Sequence, residues 1–195
     1  MRDFVQRLRA SAGLLEPSLV SGSVLVLTSL VFFRSALLPE FGAELEMSTF
    51  ELGIVTTVFG IGRLVADLPG GYLADRIVAT RLLAVAAAGV AVGSLALGLA
   101  GSALPVYLAI FLLGLASATT NGTGMTYYSN VGGPGFRGTA MAVFSASLLG
   151  GQAIGPAVGG LIASVADWRL AMYVAAGVAS VLAIGLVFGT RAHQP

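Results

Sequence analysis

Three stretches of this chain carry no charged residue, and they decide what it can fold into. The first runs from Leu82 to Phe136, about 55 residues. The second runs from Gly138 to Ala166, the third from Leu170 to Thr190. A helix that crosses the hydrocarbon core of a bilayer needs about 20 apolar residues. The first stretch is too long for one crossing, and Gly101-Ser102-Ala103-Leu104-Pro105 is a turn signal inside it. It divides into spans near 82–101 and 104–126. The other two stretches supply spans near 139–163 and 170–189. Earlier in the chain, Ser18–Leu38 is apolar except for Arg34, and Pro39 marks the end of a span near 18–39. Thr49–Leu73 is apolar except for Glu51, Arg63 and Asp67, a span near 49–73. Ser48 and Glu51 have the Ser-x-x-Glu spacing of a capping box at its start. The expected fold is an all-α membrane protein: a basic segment over 1–17, a domain of six transmembrane helices over 18–190, and a tail over 191–195.

Composition narrows the function classes. Hydrophobic types make up 56% of the residues and charged types only 10%; a soluble domain carries about 25% charged residues. A soluble enzyme and a nucleic-acid binder are excluded, and the first partner is the lipid bilayer. There is no cysteine, and the single histidine is His193, among the last three residues. No metal site and no cofactor is expected. An intramembrane hydrolase needs a nucleophile with a base, or paired aspartates, at membrane depth. Asp67 is the one carboxylate deep in a span, so the chain is not expected to be an enzyme. Channel filters need rings of charge or carbonyl, and no such pattern is present. Residues 1–16 are no cleavable signal, because a full-length span follows them without an Ala-x-Ala site. Their Arg2, Arg7 and Arg9 suit an interfacial helix or a flanking anchor.

All ten basic residues are arginine. With the N-terminus inside, the inner segments hold Arg2, Arg7, Arg9, Arg76, Arg81, Arg137 and Arg191, against Arg169 alone outside. This is the positive-inside bias, and it puts both termini in the cytoplasm of a protein of the plasma (inner) membrane.

A repeat is visible three spans apart. Span two ends in Gly70-Gly71-Tyr72-Leu73-Ala74-Asp75-Arg76; span five ends in Gly159-Gly160-Leu161-Ile162 and reaches Ala166-Asp167-Trp168-Arg169. Three is odd, so the copies have opposite topology, as in the inverted three-helix repeats of one large transporter class. Spans three and six hold few side-chain hydroxyls and are expected to face lipid. Spans one and four are rich in them and are expected to line a cavity.

These segments resemble the N-terminal six-helix half of the major facilitator superfamily, over nearly the whole chain. Gly71-Tyr72-Leu73-Ala74-Asp75-Arg76 is similar to that family's loop between helices two and three, although Val78 stands where the family has a further glycine. Gly151, Gly155, Pro156, Gly159 and Gly160 match the Gly-x-x-x-Gly-Pro-x-x-Gly-Gly of family antiporters in helix five. The arginine of the family's helix-four pattern is replaced by Ile110. The resemblance implies a gate at Asp75 and Arg76, and a closed contact with the opposite half at the glycine stripe. It also implies proton-coupled efflux of a small organic compound. On physical grounds alone, glycines four apart make a bare stripe that another backbone can approach. Pro156 removes one backbone donor and permits a bend.

Arg63 and Asp67 lie four apart inside span two, with Gly60 and Gly71 on the same face. A charge at mid-bilayer costs about 2.5–3.5 kcal/mol on the lenient insertion scale. That face is expected to meet protein or a water-filled cavity. Two readings stay open: a static intrahelical salt bridge, or an Asp67 that takes up a proton and frees Arg63 for an anionic group. Arg34 either snorkels to the headgroups or binds in the cavity. Thr119, Thr120, Asn121, Thr123, Thr126, Tyr127 and Tyr128 suit a cavity wall or interhelical hydrogen bonding equally. Ser21, Thr28 and Ser35 recur every seven residues beside Phe32 and suit the same cavity.

The function read from this sequence is a secondary active transporter, with a small-molecule substrate and protons, present as half of the usual unit. A second six-helix half is expected as a separate chain or as a second copy. The alternative is a non-transporting six-helix fragment or membrane assembly partner.

Overall fold

The computed structural model describes the backbone of residues 2–131 and 137–191 and the surroundings of side chains over 16–131 and 137–188. Arg2, Arg7, Arg9, His193 and the tail from 192 onward therefore lie outside the described side chains. Six helices follow one another: α1 (Arg2–Glu44), α2 (Thr49–Ala74), α3 (Ala79–Gly98), α4 (Ala103–Val131), α5 (Arg137–Val165) and α6 (Trp168–Arg191). All six are long and apolar enough to cross a membrane. No strand occurs among the described residues.

The starts and stops have local causes. At α2, Ser48 Oγ accepts from the Glu51 N–H while the Glu51 carboxylate accepts from the Ser48 N–H, the reciprocal capping box. α1 does not stop at Pro39, which lies inside it. A proline deprives the helix of one donor, and that does not break a helix held by packing. The helix ends instead where Glu46 takes φ 51° and the Met47 N–H reaches back to the Gly42 carbonyl at 2.8 Å. That six-to-one bond is the Schellman pattern.

The packing carries the inverted repeat. The most extensive helix contacts are α2 with α4, α1 with α5, and α3 with α6. Exchanging the first three helices for the last three turns the first pair into the second and leaves the third unchanged. The register agrees. The shift of 89 residues that carries Gly71 onto Gly160 also carries Gly62 onto Gly151 and Leu25 onto Gly114. At one crossing, a Cβ on Gly62 would lie against the Phe111 carbonyl oxygen and 3.3 Å from Gly114 Cα. At the other, a Cβ on Gly151 would lie 2.6 Å from the Leu25 carbonyl oxygen. Both crossings need glycine because backbones meet there, the device by which helices associate without a hydrophobic drive.

Burial sorts the helices into core and flank. Half or more of the apolar windows of α1, α3 and α4 is buried, against 17% for α2 and 22% for α5. α3 is thus more enclosed than a helix given over to lipid, because α4 and α6 both cover it. At the Glu44 end, α1, α3 and α6 are clamped together. Arg169 meets Glu44 at 2.7 Å and donates to the Gly98 and Ala100 carbonyls at 2.7 and 3.0 Å. Trp168 Nε1 donates to the same carboxylate, and Tyr173 donates to Gly98 O at 3.0 Å.

Candidate functional site

Phe59, Gly62 and Arg63 share the stretch of α2 that is locked against α4. A Cβ on Gly114 would press on the Phe59 carbonyl oxygen and stand 3.2 Å from the Arg63 nitrogen. The backbone that carries Arg63 is thus held rigid. Arg34 reaches this point from α1. Its guanidinium carbon lies 3.7 Å from the centroid of the Phe59 ring, a cation–π contact. Arg34 is 8% exposed, and its buried Nε has no hydrogen-bond partner. Arg63 is half-buried, one turn beyond Phe59 on α2. Since α1 runs on to Glu44, Arg34 stands about 15 Å from its end at the helical rise. Snorkelling to the headgroups does not describe it.

Asp67 does not pair with Arg63. It is exposed, and Glu44–Arg169 is the one ion pair among the described residues. The static intrahelical bridge is therefore set aside. Asp67 instead borders a cleft of about 290 Å³ between α2, α3 and α4, together with Gly70, Gly71, Leu82, Thr119 and Thr123. Asn121 is half-buried on α4 and makes no hydrogen bond to another described residue. It does not line that cleft.

Many of the hydroxyls turn out to be internally satisfied. Thr119 and Thr120 donate to the carbonyls one turn back, Leu115 and Ala116, both at 2.9 Å. The Tyr128 hydroxyl donates to Pro17 O at 2.7 Å and meets the Ser21 hydroxyl, tying α4 to α1. Thr28 packs against Gly151. Of the expected seven-residue stripe on α1, only Ser35 is exposed. For Thr120, Tyr128 and Ser21, interhelical and intrahelical bonding replaces the cavity wall, and for Thr28 packing against α5 does.

The glycine stripe also sits differently from expectation. Gly151, Gly155 and Gly159 are buried against α1 of the same chain; a Cβ on Gly155 would press on the Ser29 carbonyl oxygen, and one on Gly159 would lie 2.9 Å from Phe33 Cα. An opposite half cannot touch these three, because α1 already occupies the groove they form. Gly160 is looser, since a Cβ there would lie 3.5 Å from Ala36 Cβ, and Pro156 is half-buried beside them. At the far end of α2, Gly71, Asp75 and Arg76 are exposed, and a Cβ on Gly71 would meet nothing within 4 Å. Arg76 lies over its neighbour Tyr72, 4.2 Å from the ring centroid.

Reasoning from the sequence missed Phe59 and Glu44. Phe59 was findable, one turn before Arg63 on the same face. Glu44 was not, since its partners Trp168 and Arg169 lie five helices away in the chain.

The sequence matches the Major Facilitator Superfamily over residues 19–195, nearly the whole chain. The chain belongs to the major facilitator superfamily. It is therefore a multi-pass membrane protein, and its six helices fit the N-terminal half of a superfamily transporter. It is 32% identical to a puromycin resistance protein of Streptomyces alboniger, over 76% of this chain and 30% of that protein. It is 28% identical to a tetracenomycin C resistance and export protein of Streptomyces glaucescens, over 80% of this chain and 29% of that protein. An uncharacterized transporter of Schizosaccharomyces pombe is 40% identical over 39% of this chain and 16% of its own length. The chain spans less than a third of the length of the curated relatives it matches. In this superfamily member, Arg34 of α1 lies over Phe59 of α2, one turn from Arg63, and neither arginine forms an ion pair with a described residue.

Proposed function

We propose that this chain supplies one six-helix wall of a secondary transporter that exports a small organic compound in exchange for protons, and that a second six-helix unit supplies the other wall. The observation that carries this reading is the low burial of α2 and α5, which flank the well-buried α1 and α4. Leu64, Leu68 and Tyr72 on α2, with Leu149 and Leu161 on α5, are all exposed apolar side chains. Lipid can solvate such faces, but not the charges of Arg63 and Asp67 at the same depth. A second unit related by an axis along the membrane normal would enclose them. The names of two relatives, a resistance protein and a resistance and export protein, support efflux as the direction. Asp67, exposed at the edge of a cleft, is the carboxylate we assign to proton exchange. Asp75, Arg76 and Gly71 form the gate at the cytoplasmic end, and Asn121 belongs to the substrate path. The arginine bias supports an orientation with both termini in the cytoplasm, and export from the cell would place the chain in the plasma membrane.

Inverted membrane vesicles test this. The chain produced together with a second six-helix unit should accumulate at least one of a panel of labelled amphiphiles, anionic, neutral and cationic, when the lumen is acidified, and the chain alone should accumulate none. Collapse of the proton gradient should abolish the uptake. Gradient-independent accumulation would overturn the coupling, and full activity of a stable monomer would overturn the half-unit. Reporter domains inserted within 42–46 and fused after Gln194 should report opposite compartments. The same compartment for both would overturn the orientation.

A further inference from the structure

Arg34 of α1 lies over the Phe59 ring of α2, one turn from Arg63, and neither arginine has a paired carboxylate among the described residues, which is costly for a chain in a bilayer. Arg34 is nearly enclosed, with an unpartnered Nε. Arg63 stands one turn along α2 from the Phe59 ring that Arg34 covers. Neither side chain makes an ion pair or a hydrogen bond with a described residue. Arginine does not give up its proton in proteins, so the strain of two like charges cannot be relieved by neutralising one. The Phe59 ring offers its electron-rich face, which partly offsets the desolvation of one guanidinium and supplies no negative charge. Asp67 stands one turn beyond Arg63 and faces away into its cleft. The remaining way to balance this place is an anion from outside the chain. The site is also built to hold still, because the glycine crossing of α2 and α4 fixes the backbone from Phe59 to Arg63. Rigid guanidinium donors match a carboxylate in charge and in shape.

Resting on the transporter reading above, we propose that Arg34 and Arg63 together bind the carboxylate of an apolar organic anion, so that the compound carried is an acid rather than a neutral or cationic one. The Asp67 carboxylate, one turn along α2 and unpaired with Arg63, repels a bound anion without touching it. A carboxylate reaching this pair has two sources: a free substrate, or a side chain of the second six-helix unit.

The chain is purified in an uncharged detergent and titrated with 1-naphthylacetate, with the matched neutral amide 1-naphthylacetamide, and with 1-naphthylmethylamine. The carboxylate should bind at least about tenfold more tightly than the amide, as a charge-assisted pair does, and the amine should not bind. Arg34→Gln and Arg63→Gln should each bring the affinity for the carboxylate down to that for the amide. Arg34→Lys should keep part of the preference, and Asp67→Asn should strengthen carboxylate binding. Should Arg34→Gln not fold, shown by lost helix content, the parent comparison and Arg34→Lys still decide the matter. Equal affinity of the parent for carboxylate and amide would overturn the proposal. So would a two-chain mass that falls to one chain in Arg34→Gln while the parent shows no preference, since the pair would then belong to a side-chain carboxylate of the second unit. Export of a neutral compound without carboxylate preference would overturn this inference and leave the transporter standing. Carboxylate binding with no transport by any pairing of units would support this inference and overturn the transporter.

Discussion

At the Glu44 end of the unit, the Arg169 guanidinium meets a carboxylate and two backbone carbonyls and lies 4.5 Å from the Trp168 ring centroid. Further down α1, the Arg34 guanidinium has one ring beneath it and a buried nitrogen with no partner. Arg169 is the more exposed of the two, with a side chain 26% accessible, against 8% for Arg34 as a residue. Water could serve Arg169 if the protein did not, yet the protein supplies it with everything. Arg34 can least rely on water and is left wanting. A stability role accounts for the first arrangement and not for the second, because a buried charge without a partner destabilises the fold that holds it. The same contrast separates the glycine seams, where backbones touch, from the exposed flank of α2 and α5. One set of contacts is complete within the chain. The other is arranged for something outside it.

The strongest attack on the complete set is Gly155→Leu. A Cβ there meets the Ser29 carbonyl oxygen and stands 3.0 Å from Phe32 Cβ. Backbone cannot yield as a side-chain tip does, so the cost exceeds the roughly 1–3 kcal/mol of ordinary overpacking. The expected outcome is loss of the monodisperse, folded species in detergent chromatography. Gly71→Leu on the open end of α2, where nothing lies within 4 Å, should elute as the parent does. If the two variants behave alike, the seam is not what holds α1 to α5.

Arg169→Ala comes next. It removes the charge-assisted bonds to Gly98 and Ala100 and leaves those carbonyls to Tyr173 and solvent. Hydrogen bonds to a charged group are worth roughly 1.5–3 kcal/mol, and partial exposure favours the low end. Thermal unfolding followed by loss of helical signal should shift down by several degrees. Since Glu44 and Trp168 keep their own bond, the fold should survive. An unchanged midpoint would make the clamp ornamental.

The helices were legible in the sequence because charge-free runs and bilayer thickness set them almost without help from tertiary structure. The repeat was legible for the same reason as the seams: glycine leaves a mark at every place where backbone must meet backbone, and Gly62, Gly114, Gly151 and Gly155 are such places. What glycine spacing does not carry is the identity of the partner helix. The stripe on α5 read as a surface for an opposite half, whereas α1 fills it. The end of α1 misled for a related reason. Pro39 costs one hydrogen bond, and packing of Phe41 against Trp168, with ring centroids 5.6 Å apart, carries the helix past it. Arg63 and Asp67 suggested a pair by spacing alone, but spacing sets only which side chains can meet. Asp67 borders the cleft between α2, α3 and α4, and no ion pair joins it to Arg63. The meeting of Arg34 with Phe59 depends on how α1 and α2 approach across α4, and no local pattern encodes that.

The smallest expected change in stability is the most telling. Arg34→Gln removes a buried positive charge with an unpartnered Nε, which by itself should stabilise the fold. It also removes the contact with the Phe59 ring, worth about 0.5–2 kcal/mol depending on desolvation. Glutamine keeps most of the length and fills most of the space, so little cavity forms. The two effects oppose one another, and the net shift should stay within about 1 kcal/mol. The unfolding midpoint of Arg34→Gln should therefore lie within a few degrees of the parent and above that of Arg169→Ala, although Arg34 is the more buried residue. Burial alone predicts the reverse order. A drop for Arg34→Gln as large as for Arg169→Ala would mean that Arg34 holds helices together through contacts of its own, and the contrast between the two arginines would collapse. A neutral midpoint with the preference for carboxylates gone would leave Arg34 one role, which is to meet an anion brought to it.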